Sequence, residues 1–490
     1  MQNVAIQNWM QALAGHYERS RTAFAQDDLL ILFDIDGTIL DSRYMLLYLL
    51  QAYDRNHNTG FFSACRITDM SFSVAELEAG LRSLGVPADH FAAIQAWYNR
   101  HRWSMAAVLE AHRPFPGVMD VIRWFQLQPH THVGLNTARP EHLREETLCS
   151  LNKLGREYRV QFTSDLLFMR EAADSDDVIA AKLAGIEHFR ACGYRPFAMV
   201  DNQPQILEAV AAHDPGKAIL LLHAGTLFQQ RPEQMPANAV QGNVYDLTEL
   251  IPKKAIPRHI QFVWDGVSSE AALTQFLESN IRWADLSVLT DRYMNDQSPD
   301  VRHANGPAQS SALLQTCLQQ LRQADRGIKV NLGADLACNR SLLRLLQTAG
   351  IDSSDLWFHV DMEDLGEAQF RQLAETQPGA IIETPVDFLA PLIGNGGQLA
   401  ENILDRLCDW GVNRFALDWS TPGVRRLVER LDDWGFTVTI YGVRELQDFL
   451  QAVLLMPRAI CSDFSYAKWR EPHVGKRAVH DIDGAVLRHA

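Results

Sequence analysis

The sequence predicts an α/β protein made of two parallel-sheet units, an open Rossmann-like sheet followed by a closed (β/α)8 barrel. Three observations predict it. Short apolar runs alternate with helical stretches along most of the chain, as in parallel sheets covered by helices. The clearest joint is Leu250-Ile-Pro-Lys-Lys-Ala-Ile-Pro257, where two prolines and two lysines punctuate the chain. Beyond it, eight strand–helix units follow within about 210 residues, close to the usual size of such a barrel.

In the first unit, strands are predicted at 29–34, 131–136, 197–201 and 218–222. Residues 1–28 read as a helix packed on the outside. Residues 42–115 break the rhythm with helical spacing, as in VAELEAGLRSLGV, and read as a helical insert. The first unit therefore runs over 29–250 and the linker over 251–257. The barrel occupies 258–465, and 466–490 form a tail. Its strands are predicted at 260–264, 283–289, 327–332, 355–361, 379–384, 413–419, 435–441 and 458–464.

The 490 residues are 47% hydrophobic and 21% charged, enough apolar material for sizeable cores and no signature of disorder. The net charge of −15 disfavours a nucleic-acid partner, because an acidic chain repels a phosphate backbone. Seven cysteines (65, 149, 192, 317, 338, 408 and 461) are scattered singly, without a CxxC pair. That suits reduced thiols rather than a disulfide frame or a zinc site. The N-terminus shows no basic start followed by an apolar core, and no apolar run reaches the roughly 18 residues of a membrane span. A soluble cytoplasmic protein, with homo-oligomerisation left open, is the expectation.

Leu29-Leu-Ile-Leu-Phe33 is a short buried strand, followed at once by Asp34-Ile-Asp36-Gly37-Thr38. Two carboxylates at i and i+2 leave the carboxyl end of a parallel strand together, at the edge where open α/β sheets place ligands. One carboxylate can attack phosphorus while the other protonates the leaving oxygen. Gly37 lets the backbone turn close to a phosphate.

The pattern resembles the first motif, DxDGT, of the haloacid-dehalogenase superfamily. Val133-Gly-Leu-Asn-Thr137-Ala-Arg139-Pro140 resembles its second motif, and Phe197-Ala-Met-Val-Asp201-Asn202 its fourth. Lys182, 19 residues before Asp201, falls where the third-motif lysine belongs, with Lys153 as an alternative. The resemblance implies a fold of that type with a helical cap. It implies a phosphomonoesterase working through an aspartyl phosphate on Asp34. Asp36 is then acid and base, Thr137 and Lys182 complete the catalytic set, and Gly37, Thr38, Arg139 and Asn202 bind substrate. Mg2+ would sit on Asp34, the Asp36 carbonyl and Asp201. Asn202 and Gln203 stand where the superfamily often has a second acid. The run from Asn136 to Arg144, with Asp165-Leu-Leu-Phe-Met-Arg170 after it, also resembles the phosphatase domain of polynucleotide kinase-phosphatases.

In the second unit, successive strand residues face opposite sides. Phe262/Trp264, Ile328/Val330, Phe358/Val360, Phe415/Leu417 and Val438/Ile440 form an apolar set that fits under helices. The opposite set holds Asp265, Asp285, Lys329, His359, Asp361, Glu383, Asp418, Tyr441 and Asp463, which would point inward. A barrel interior is normally filled with branched apolar side chains, so this density of ionisable groups marks a candidate site. Leu392-Ile-Gly394-Asn-Gly396-Gly397 could cradle a phosphate or be a plain loop.

The closing strand resembles that of glycerophosphodiester phosphodiesterases. Asp265-Gly-Val-Ser-Ser-Glu-Ala-Ala-Leu273, Pro299-Asp-Val-Arg-His303, Gly327-Ile-Lys-Val-Asn331 and Leu356-Trp-Phe-His-Val-Asp361 resemble motifs of the related menorin family. Asp265 stands in place of the first metal-binding histidine and Asp285-Leu-Ser287 in place of a Glu-x-Asp pair, while His303 is retained. Three functional readings follow. The first is a phosphatase for a small-molecule phosphate ester, fused to a barrel acting on a related phosphodiester. The second is a polynucleotide 3′-end phosphatase. In the third, the phosphatase carries a barrel that binds a ligand without catalysing.

Overall fold

The computed structural model describes residues 8–72, 76–170, 177–226, 236, 238–251, 259–267, 269–279, 281–286, 311–334, 336–393 and 397–462. The first unit is a six-stranded sheet of β1 (Leu29–Phe33), β2 (Thr131–Pro140), β3 (Leu167–Arg170), β4 (Arg195–Asp201), β5 (Leu220–Ala224) and β6 (Ala239–Gly242). Its order is β3-β2-β1-β4-β5-β6 and all pairings are parallel. β1 lies at the centre, and all five of its apolar side chains are fully buried. Leu29, Ile31 and Phe33 join one apolar cluster while Leu30 and Leu32 join another, so the strand is covered on both faces.

β3 and β6 extend the predicted strand set. Both are short edge strands, and Leu-Phe-Met-Arg and Ala-Val-Gln-Gly carry too little alternation to stand out. The N-terminal helix, Trp9–Ala23, is more than an outer layer. Trp9, Met10, Leu13 and Tyr17 are buried in the main core, and Tyr17 OH pairs with Thr131 Oγ1 at 2.9 Å. A Cβ on Gly242 would come within 2.1 Å of the Trp9 ring, so the close approach of this helix requires glycine there.

Residues between β1 and β2 carry helices Ser42–His57, Leu77–Ser83, Phe91–His101 and Met105–Glu110. They hold a core of their own around Leu49, Tyr53, Phe62, Leu81 and Ile94. The chain leaves and returns side by side: Asp41 N donates to Arg113 O and Phe115 N to Ile39 O, each at 2.9 Å.

The second unit is a closed barrel. Its strands are β7 (Gln261–Trp264), β8 (Trp283–Leu286), β9 (Gly327–Leu332), β10 (Leu356–Val360), β11 (Ile381–Pro385), β12 (Arg414–Asp418), β13 (Val438–Val443) and β14 (Ala459–Ser462). Each pairs in parallel with the next, and β14 closes onto β7. Every predicted barrel strand has its counterpart. The two units pack together through a continuous apolar cluster that includes Val118, Leu250, Phe449 and Leu454. Buried Asp120 reinforces the contact, accepting from Arg425 at 3.0 Å and Gln451 at 3.1 Å. Among the described residues, no helix is long and apolar enough to cross a membrane.

Candidate functional site

The carboxyl ends of β1, β2 and β4 bring the first motif set together. Asp34 follows β1 directly, Thr137 and Arg139 lie on the last residues of β2, and Asp201 ends β4. Lys182 enters from helix Val178–Ala191, which packs on β2 and β4. Its Nζ lies 2.5 Å from Asp34 Oδ1, 2.9 Å from Asp201 Oδ2 and 2.6 Å from the Asn136 carbonyl. All three charged groups are buried, so the ammonium compensates two carboxylates that would otherwise be costly to desolvate. Lys153, the alternative, is exposed.

Burial raises Asp34 to about 7; the Lys182 ammonium works against that rise, and Asp201 adds to it. For Lys182, burial favours the neutral amine, but Asp201 and Asp34 outweigh it and hold the ammonium. Asp201 Oδ1 accepts from Gln203 N at 2.9 Å, which fixes the carboxylate.

Arg139 is placed on Asp36. Its Nε donates to Asp36 Oδ2 and its NH2 group to Oδ1, both at 2.7 Å, in a bidentate pair. Burial tends to raise the Asp36 pKa, but the guanidinium overcomes this and holds the carboxyl below its ordinary value. His112 completes the arrangement. Its Nε2 accepts from Arg139 at 3.0 Å, and its Nδ1 lies 3.0 Å from the Val108 carbonyl. The proton therefore sits on Nδ1. Burial, aided by the adjacent guanidinium, lowers His112 to about 4, so the ring stays neutral. His112 carried no sequence signal. It follows the last helix of the insert and ties that insert to Asp36.

Gly37 has φ +86°, and a Cβ there would meet the Asn202 amide nitrogen at 2.3 Å. The positive φ favours glycine, and any side chain there would also displace the Asn202 carboxamide. The Thr38 hydroxyl and Asn202 Oδ1 are buried without a hydrogen-bond partner. Thr137 Oγ1 accepts from Arg139 N at 3.3 Å.

Donor chemistry here is all oxygen: the Asp34 carboxylate, the Asp36 carbonyl, Asp201 and the unpartnered Asn202 Oδ1. Such donors fit a small hard cation. Among the described residues, no group of three or more His, Cys, Asp and Glu is arranged to hold a metal. The fit therefore depends on carbonyl and amide oxygens beside the two aspartates.

The barrel gathers a second cluster. Lys329 Nζ lies 2.9 Å from Glu383 Oε1 and 3.6 Å from Asp285 Oδ2, and His359 Nδ1 lies 2.8 Å from Glu383 Oε1. Burial opposes the charge on both Glu383 and Lys329, yet their mutual attraction dominates. It lowers Glu383 below the ordinary carboxylate range and raises Lys329. Burial raises Asp285 to about 6; Lys329 counteracts this, while Asp265 adds to it. Asp285 Oδ1 is buried with no hydrogen-bond partner.

Two predicted members stand apart. Asp361 is exposed at the strand end, where Oδ1 accepts from Glu363 N at 3.0 Å. Asp418 Oδ1 accepts from the backbone and hydroxyl of Ser420, each at 2.7 Å. Asp361 follows the last residue of β10, whereas Asp418 is the last residue of β12, in register with Tyr441; both carboxylates brace the turn that follows and are not bonded to Lys329. His303, Asp463 and residues 394–396 of the glycine-rich loop lie outside the described residues. Arg414, Trp357 and Cys461 were missed. The Arg414 guanidinium lies 5.0 Å from the Trp357 ring centre and Cys461 Sγ 3.7 Å from Asp285 Oδ2. The same parity that selects Asp418 places Arg414 inward.

No family model matches the chain, and no curated protein does. Solved structures match each half. One is a protein from Galdieria sulphuraria assigned as a glycerophosphodiester phosphodiesterase, 12% identical, covering 43% of this chain and 95% of that one at a TM-score of 0.33. Another is a haloacid-dehalogenase-like hydrolase from Streptococcus pneumoniae, 11% identical, covering 42% of this chain and 89% of that one at a TM-score of 0.28. A third, from Burkholderia xenovorans and assigned as a haloacid-dehalogenase-like hydrolase, is 17% identical and covers 44% and 94% at a TM-score of 0.28. The two-part fold itself rests on the strand pairings described above.

Proposed function

We propose that the chain is a magnesium-dependent phosphohydrolase whose first unit cleaves a small phosphomonoester through an aspartyl phosphate on Asp34. The observation that carries this reading is the Lys182 ammonium held between two buried carboxylates at the ends of β1 and β4. Lys182 engages Oδ1 of Asp34, which leaves Oδ2 as the attacking oxygen. Attack forms the Oδ2–P bond and breaks the bond from phosphorus to the ester oxygen, which leaves with the proton of the Asp36 carboxyl. Water then cleaves the acyl phosphate, losing its proton to Asp36 and restoring the Asp34 carboxylate. Asp34, the Asp36 carbonyl, Asp201 and Asn202 would hold the magnesium. When bound, it offsets the charge of the phosphoryl group. Turnover of a generic phosphomonoester with magnesium or manganese, by wild type and Asp34→Asn in parallel, tests the reading.

Arg139 is paired with Asp36, and this gives it a role in proton transfer besides its expected contact with substrate. Its bidentate grip favours carboxylate Asp36, the form needed as base for water. Protonating the leaving group needs that grip to loosen, and an incoming phosphate dianion is a competing partner for the guanidinium. Arg139→Lys keeps the charge but loses the fork geometry. It should lower kcat by about tenfold to a hundredfold, roughly 1.4–2.7 kcal/mol of barrier. It should also move the pH limb assigned to Asp36 upward. An unchanged pH profile would remove Asp36 from proton transfer.

The raised Asp34 pKa sets a second expectation. The nucleophile must be ionised, so kcat/KM of the free enzyme should fall as pH drops below about 7. A rate that stays flat down to pH 5 in stopped assays would contradict this.

The insert supports a small substrate, since Trp103 and His112 from it stand by Arg139. We further propose that residues 42–115 act as a cap on the first unit. For the barrel, Asp285 and Glu383 around Lys329, with Asp265 beside Asp285, support a phosphodiester or related ligand. A barrel that only binds remains the rival, favoured by the way Lys329 already neutralises both buried carboxylates. Diesterase assays on the full chain decide between them.

A further inference from the structure

A cavity of about 840 Å³ opens between the two units, within the 300–1,000 Å³ range of small-molecule sites. It is separate from both carboxylate clusters, none of whose members lines it. Five basic side chains face two acidic ones across it, in a chain of net charge −15. Arg156 is spent on Glu429 at 2.9 Å. Arg113, Lys153 and Arg426 have no carboxylate partner among the described residues, and Arg430 lies against the Trp434 ring. Glu157 alone is left to offset them. Like charges gathered at one cleft repel, and low-dielectric walls focus their field onto whatever enters.

The remaining walls are apolar and aromatic. Tyr44 and Phe115 come from the insert, Tyr158 from the short 3-10 turn after helix Arg144–Gly155, and Leu427 from the barrel helix Val424–Asp433. The same barrel helix presents its N-terminal Gly423 to the cavity, with no side chain capping it. The positive end of the helix dipole adds to the potential there.

We propose that this inter-unit cavity binds a small organic polyanion: two or more negative charges, as in a diphosphate, joined to a ring that the tyrosine and phenylalanine walls cover. Because lining residues come from both units, occupancy would strengthen their packing.

Isothermal titration of the full chain with ADP, inorganic pyrophosphate and adenosine tests this. Each is titrated in EDTA, into wild type and into a Lys153→Glu/Arg426→Glu variant. Both substituted side chains are exposed and unpaired, so the variant should keep the wild-type melting temperature and basal phosphomonoesterase rate. Wild type should bind ADP more tightly than pyrophosphate and adenosine not measurably. Affinity should weaken as salt is raised, and ADP should raise the melting temperature. The variant should lose at least about tenfold in affinity, or 1.4 kcal/mol. Arg113→Glu, on the other wall, should weaken binding in the same direction. No heat from either anion at millimolar concentration would overturn the proposal. So would equal affinity in the variant, which would locate binding elsewhere, at Asp34 for instance.

Discussion

Asp34→Asn is expected to remove phosphomonoester turnover while leaving the fold intact. An amide oxygen cannot form the acyl phosphate, so the two-step route is closed and only uncatalysed attack by water is left. The expected loss is at least about a thousandfold, near 4 kcal/mol of barrier. Folding should survive because the substitution preserves shape and leaves Lys182 paired with Asp201 at 2.9 Å. It even relieves one of two buried carboxylates. Parallel assays with magnesium and a melting curve check both halves of the expectation. Turnover within about tenfold of wild type, a change of only about 1.4 kcal/mol, would sink the assignment.

The strand pattern made the fold readable because both units are parallel. Buried parallel strands are short apolar runs, and their helices give the spacing between them. Leu29–Phe33 and Gly327–Leu332 stand out for that reason. β3 and β6 do not, since an edge strand has one partner and little to bury. In the first unit, Asp34, Asp36 and Asp201 were legible as carboxylates directly following apolar strands. The Lys182 position rested on resemblance, because one lysine on a helix looks like any other. His112 was invisible, as its role depends on where the insert returns to the sheet. Arg139 was legible as a participant, but its target was not. Sequence shows a guanidinium near a phosphate motif and cannot tell whether it grips substrate or Asp36.

In the barrel, parity placed Asp285, Lys329, His359 and Glu383 on one side, and all four interact there. Asp361 lies one residue beyond β10, where alternation no longer applies, while Asp418 keeps its strand register beside Tyr441 but spends its carboxylate on the following turn. At a strand end a carboxylate readily caps the backbone N–H two residues on.

Lys329→Met is expected to be the most destabilising single change in the barrel. Lys329 is 2% exposed, Glu383 is 0% and Asp285 is 5%, so removing the ammonium leaves two carboxylates in a nearly dry interior without their shared cation, with only His359 still on Glu383. Breaking a buried pair in this way costs about 3–5 kcal/mol, and Met fills most of the vacated volume, so the loss is mainly electrostatic. The deficit should depend on pH. In wild type Glu383 titrates below its unfolded value, so its stabilisation is fully present above the ordinary carboxylate pKa. It is lost as pH falls through the depressed one. In the variant, the carboxyls become neutral at higher pH, so wild type and variant should converge in acid. A Lys329→Met/Asp285→Asn/Glu383→Gln variant should recover most of the loss near pH 7, since no buried charge is then left without compensation. Urea denaturation at pH 7.5 and pH 4.5 measures all of this. A single-variant cost below about 1 kcal/mol at pH 7.5 would mean that water reaches the cluster. It would also mean that Lys329 does not neutralise Asp285 and Glu383, and with that the support for a purely binding barrel would go.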